Sequence, residues 1–214
     1  MVPFSRAMGV RLEETWGLIF DPAKQPGPFM LLDDPRFGIG PALWFKGHSV
    51  NSVDPNALGE ARQLLLESKR RSLGFISSIA GRNRVLSKEL MVSVASSSDA
   101  IHGEKEDSET YYFVPREGGA LWLDTLSIPA KAPHRDLAEK FINFLLEPKV
   151  AAQFSNFSQL ATPNKAALEF INPEDRKNPA LYPPPEVMRR LEYVNDLGDQ
   201  NKLYDELWTQ IKSK

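Results

Sequence analysis

Apolar and polar positions along the chain fall into short strand-like runs separated by stretches with a helical period. Phe29–Leu32, Leu73–Ile76, Glu89–Ala95 and Tyr111–Pro115 each predict a strand. Asp54-Pro55 opens an amphipathic helix through Ser68, with Leu58, Ala61, Leu64 and Leu65 on one face. Pro133–Leu146 predicts a helix striped by Leu137, Phe141, Phe144 and Leu145; Glu147-Pro148 ends it, and a second helix runs over Lys149–Phe157. Both stripes read as core-facing. A small helix is expected over Arg82–Ser87, helical segments over 165–171 and 183–191, and a last amphipathic helix from Gly198 to Ile211. His102–Thr110 reads as a charged loop.

The pattern centres on Gly118–Pro129. Two glycines give a turn, and Ala120–Ile128 then reads as a strand. On a strand, Trp122 and Asp124 point to one face. An aromatic surface beside a carboxylate suits an organic cation. The same pattern also describes a core tryptophan with a solvated aspartate. Asp33 and Asp34 end an earlier strand, and Pro35 starts a helix whose dipole favours acids at that end. The capping role is expected of Asp33.

Composition narrows the classes. The chain has 214 residues, 42% hydrophobic and 25% charged, with a formal net charge of −2. That balance is ordinary for a globular protein and argues against a nucleic-acid surface. Cysteine is absent, so disulfides and thiolate metal sites are excluded. Neighbouring strand residues face opposite ways, so Tyr111 and Tyr112 are not expected to share a metal. Histidines occur only at 48, 102 and 134, in contexts that read as exposed loops. No nucleophile-elbow or phosphate-loop motif is present, so no enzyme and no cofactor are expected. Met1–Glu14 carries no secretory signal pattern, and no window reaches the apolar length of a membrane span.

Two long stretches add a family. Phe141–Gly198 closely resembles the C-terminal third of bacterial periplasmic spermidine/putrescine-binding proteins, the polyamine receptors of ABC importers. Leu31–Leu43 is similar to that family's segment with spaced Asp, Arg and Leu, and the resemblance runs in family order over residues 14–210. It implies an α/β, type 2 periplasmic-binding-protein-like fold, with one near-complete lobe and a partial second lobe. In that scheme residues 1–13 are the remnant of the first lobe crossing, which Val2-Pro3-Phe4 marks within residues 2–10. Residues 14–118 are the first part of the C-terminal-type lobe. Residues 119–164 are a partial N-terminal-type lobe, and 165–214 supply closing helices.

The implied function is non-covalent capture of putrescine or spermidine in a cleft between lobes. Asp34 and Asp124 would pair with ammonium groups and Trp122 would pack on the methylene chain. The expected partner is an ABC permease. The resemblance places the chain in the periplasm, and its own first residues leave the cytoplasm open. Four positions depart from the family pattern. Phe37 stands for a glutamate, Ser96 for an aromatic, Leu160 for a tyrosine and Val194 for a polar residue. Each loss is worth roughly 1–3 kcal/mol, and four together suffice to erase micromolar affinity. The alternative reading is therefore a truncated or degenerate paralogue kept as a structural or interaction module. Part of one lobe has no counterpart in the sequence, so exposed edges and patches are expected. Self-association, or a complementing N-terminal lobe, would cover them.

Overall fold

A computed structural model of the chain describes residues 2–6 and 12–213. It divides into two compact units, Met1–Leu121 with Pro185–Lys214, and Trp122–Pro184.

In the first unit β1 (Val2–Arg6) is the middle strand of an antiparallel sheet, flanked by β4 (Val92–Ala95) and β5 (Thr110–Tyr112). The rest of the segment 2–10 lies outside the described residues. The register pairs Val2 with Ala95 and Phe4 with Tyr112. Between these strands run α1 (Gly17–Phe20), β2 (Leu31–Leu32), α2 (Pro35–Phe45), α3 (Pro55–Lys69), β3 (Phe75–Ile76) and α4 (Ser78–Leu86). β2 and β3 pair in parallel, which the crossover through α2 and α3 makes possible. α5 covers Ser97–Glu106, so half of the expected charged loop is helix. Its cause is local: Ser96 caps the N-terminus by accepting from the Asp99 amide at 3.1 Å. The α4 helix likewise begins four residues earlier than its apolar spacing suggests, because Ser77 caps it.

β6 spans only Gly119–Leu121. The expected strand from Ala120 to Ile128 therefore stops at Leu121, since no strand pairs with Trp122–Pro129 among the described residues. A ladder needs a neighbour, whatever the local propensity.

The second unit holds α6 (Arg135–Leu145), α7 (Pro148–Ser158), a 3₁₀ segment over Lys165–Phe170 and α8 (Pro173–Lys177). Its small core is Ala152, Ala167 and Ile171, with Tyr182 packed against it. Gln159 ends α7 in the left-handed region and donates to the buried Asp175 at 3.1 Å. The stripe on α6 does not face a core. No residue of α6 is buried, and Leu137, Phe141 and Phe144 are exposed. On α7, Ala152 and Ser155 are buried, while Phe154 and Phe157 point outward.

The chain returns through α9 (Pro185–Met188), β7 (Leu191–Tyr193) and α10 (Asn201–Ser213). β7 pairs in parallel with β6, Gly119 with Leu191 and Leu121 with Tyr193. The whole second unit thus lies in the connection between them. Trp16, Phe29, Leu43, Leu65 and Tyr204 anchor the first unit's core. Gly38 brings α10 close to α2: a Cβ there would lie 2.5 Å from the Trp208 ring.

Candidate functional site

Asp34 is the N-cap of α2. Its Oδ1 accepts from the Phe37 amide at 2.7 Å, with Pro35 in the first turn. The cap therefore falls on Asp34 and not on Asp33, whose carboxylate takes Lys212 Nζ of α10 at 2.7 and 2.9 Å. Register decides this, because Pro35 fixes the first helical position and Asp34 immediately precedes it. Asp34 is half-buried and its Oδ2 has no hydrogen-bond partner among the described residues. One carboxylate can cap a helix through one oxygen and hold a cation through the other.

Trp122 and Asp124 belong to the second unit. Both are exposed, Trp122 at 36%, in the irregular segment after β6. Strand pleating therefore does not set their common face. The indole is 36% exposed and so not part of a buried core, and a flat aromatic surface of this kind suits an organic cation. Asp34 and this pair lie in different units.

The four positions expected to depart from the family pattern lie as follows. Phe37 and Val194 are half-buried and pack against the first unit's core. Ser96 caps α5, and its amide donates to Ser78 Oγ at 3.1 Å, while Ser78 Oγ donates to Asp99. The Leu160 carbonyl accepts from Ser155 Oγ.

Tyr111 and Tyr112 take opposite faces of β5, as pleating requires. Tyr111 packs on the first unit's larger core and its hydroxyl accepts from the Leu12 amide at 2.6 Å. Tyr112 packs on the smaller cluster around Val85 and Leu90, where burial pushes its phenol strongly up. Burial also raises the carboxyl of Glu104, which accepts from the Tyr112 amide at 2.6 Å. No cluster of three or more His, Cys, Asp or Glu side chains fit to hold a metal occurs among the described residues. His102 is half-buried in α5, with Nδ1 2.8 Å from the Ser98 carbonyl, so it does not sit in an exposed loop.

A solvent-open groove of about 390 Å³ lies in the first unit, bordered by Trp44, Glu117, Glu192 and Arg190. Asp34 does not line it. The carboxylates there are already engaged, Glu192 by Trp44 Nε1 at 2.6 Å and Glu117 by the Trp16 amide at 3.2 Å. Spacing gave no sign of these anchors, since Trp44 and Glu192 lie 148 positions apart in the chain.

No helix among the described residues is long and apolar enough to cross a membrane. Residues 13–183 match the family of bacterial extracellular solute-binding proteins. The chain is 36% identical over 208 residues to the putrescine/cadaverine-binding protein of Pseudomonas aeruginosa, covering 92% of this chain and 58% of that protein. It is 31% identical over 199 residues to the spermidine/putrescine-binding periplasmic protein of Escherichia coli, covering 93% and 57%. The fold superposes on the spermidine/putrescine ABC transporter substrate-binding protein of Streptococcus pneumoniae with a TM-score of 0.86 at 27% identity, over 99% of this chain and 65% of that one. The chain thus spans somewhat over half the length of the curated relatives it matches. On the extent of the family match and the likeness of fold, it belongs to the bacterial extracellular solute-binding proteins, with a periplasmic-binding-protein α/β architecture.

Proposed function

We propose that this chain is the substrate-binding component of an ABC importer and takes a polyamine, putrescine or spermidine. The observation that carries the reading is the exposed indole and carboxylate of Trp122 and Asp124, in a chain 36% identical to a putrescine/cadaverine-binding protein. In this reading Asp34 and Asp124 are the partners of ammonium groups, and the Trp122 indole is the aromatic surface for the methylene chain. Binding is non-covalent, uses no cofactor and involves no catalysis. The compartment is the periplasm and the partner is the membrane permease of the importer.

A second reading is supported by the fate of Phe37 and Val194. Both have joined the core of the first unit at positions where the family resemblance implies polar ligand contacts. On that reading the chain is a paralogue whose binding is weak or lost and whose remaining role is structural. Titration calorimetry with putrescine and spermidine separates the two. Saturable heat, with a rise in melting temperature at millimolar ligand, is expected of the receptor. No heat and no shift would exclude it.

A further inference from the structure

Asp33 and Asp34 stand side by side at the start of α2, and the fold treats their charges differently. The Asp33 carboxylate takes Lys212 Nζ through both oxygens, at 2.7 and 2.9 Å. Lys212 belongs to the last turn of α10, and more than this ion pair holds it in place. Its ammonium lies 5.5 Å from the centroid of the Phe75 ring, and Lys69 Nζ lies 5.7 Å from the same centroid. Lys69 in turn donates to the carbonyls of Ile211 and Lys212, at 2.9 and 3.0 Å, and so caps the end of α10. Lys69 is thereby committed to the helix end, and Lys212 is the cation that neutralises Asp33 among the described residues.

This arrangement bears on the charge of the ligand. The proposed function assigns two carboxylates, Asp34 and Asp124, to ammonium groups. At Phe37, where the family resemblance implies a glutamate, the side chain packs against the core instead. A diamine carries two ammonium groups and a triamine such as spermidine carries three, so two free acids match the diamine. Asp33 is the next carboxylate to hand, its Cα about 3.8 Å from that of Asp34, but a ligand ammonium could use it only in place of Lys212. We propose, on the polyamine reading above, that Lys212 is a specificity-determining residue. By occupying Asp33 it makes the chain select a diamine over a triamine. The Asp33 and Lys212 side chains are each 42% exposed, and an exposed ion pair contributes little to stability. Breaking this one therefore changes the charge beside Asp34 and leaves the fold in place.

Titration calorimetry with putrescine and with spermidine tests the assignment. The parent chain should bind putrescine the more tightly. Lys212→Met frees Asp33 and should tighten spermidine about tenfold, the worth of one charge-assisted contact, while putrescine changes less than about threefold. The double variant Asp33→Asn/Lys212→Met removes the freed acid and should return the ratio of the two affinities to that of the parent. Lys212→Arg keeps the charge and should keep the ratio too. Lys212→Gln, a good helix former, is the second neutral variant should methionine disturb α10. A parent that prefers spermidine, equal tightening of both ligands, or a ratio unmoved in both neutral variants overturns the proposal and leaves the polyamine reading standing. Binding of neither ligand by the parent or any variant overturns the polyamine reading, and the role of Lys212 with it.

Discussion

The indoles of Trp16 and Trp44 lie stacked, centroids 6.2 Å apart and planes 14° from parallel, and each holds one strand of the β6–β7 pair. Trp16 Nε1 donates to the Gly118 carbonyl at 2.9 Å, just before β6. Trp44 Nε1 donates to Glu192 of β7 at 2.6 Å, and the same carboxylate accepts from Ser49 Oγ. Gly118 sits at φ +131°, where a Cβ would lie 2.9 Å from the Arg190 carbonyl and 3.1 Å from the Trp44 ring. The strand before the second unit and the strand after it are thus both fixed in the first unit by one aromatic pair.

This relationship ranks two substitutions. Trp16→Phe and Trp44→Phe remove similar ring volume from buried sites, so their packing losses are comparable. They differ in the acceptor left behind. Trp16 leaves a neutral carbonyl, whereas Trp44 leaves a carboxylate, whose hydrogen bonds are worth roughly 1.5–3 kcal/mol against about 1 for a neutral one. Trp44→Phe should therefore be the more destabilising by about 1 kcal/mol in urea unfolding. The reverse order would show that Glu192 is held mainly by Ser49.

Asp34 has two jobs in the proposed function, and one substitution separates them. Serine is as good an N-cap as aspartate but carries no charge. Asp34→Ser should leave the melting temperature nearly unchanged and weaken polyamine binding roughly 10- to 100-fold, the worth of one charge-assisted bond. Asp124→Asn should do the same, and Trp122→Ala should cost somewhat less. Calorimetry reads all three. A melting-temperature drop for Asp34→Ser with unchanged affinity would reduce the residue to a cap.

What was legible in the sequence followed what the sequence encodes locally. The α3 helix could be read from Asp54-Pro55 and its apolar face, and it runs over Pro55–Lys69. The Tyr111/Tyr112 alternation could be read from pleating alone. Family and fold were legible because Phe141–Gly198 resembles a known family over a long unbroken stretch. The failures share a cause: they depended on neighbours. Ala120–Ile128 has strand propensity, but no strand pairs with it beyond Leu121 among the described residues. The α6 stripe has a core pattern, but nothing in the second unit covers it. The cap expected of Asp33 falls on Asp34, and Asp33 pairs instead with Lys212, far along the chain. Periodicity reports which face of an element is apolar, not whether anything packs there.

Tyr204 makes stability fall at alkaline pH. Its hydroxyl lies 2.8 Å from the Val50 carbonyl and 2.7 Å from that of Ser52, and burial pushes its pKa up to about 12. The unfolded chain releases this proton near pH 10. Between roughly pH 10 and 12 the folded state therefore binds more protons than the unfolded one, and stability declines as pH rises. Below pH 10 the contribution is complete. Thermal melts across this range should fall less steeply for Tyr204→Phe than for the parent. Equal slopes would mean that other groups, the half-buried Tyr112 among them, set the alkaline limit.

Ser93 presents the opposite case, a polar group that the fold tolerates. It is fully buried in β4, and its Oγ has no hydrogen-bond partner among the described residues. The reason it fits is Gly81 of α4, where a Cβ would lie only 2.0 Å from that hydroxyl. A desolvated, unpaired hydroxyl costs about 1–3 kcal/mol. Ser93→Ala removes that cost without changing the side chain's shape much, so it should be neutral or stabilise by about 1 kcal/mol. Ser93→Val keeps the site apolar but overfills the space that Gly81 leaves, and should lose about 1–3 kcal/mol. Paired urea titrations distinguish the two effects, because both variants remove the hydroxyl while Ser93→Ala lowers the side-chain volume and Ser93→Val raises it. If Ser93→Ala proved destabilising by more than about 1 kcal/mol, the hydroxyl would have to be making a bond that holds α4 on the sheet.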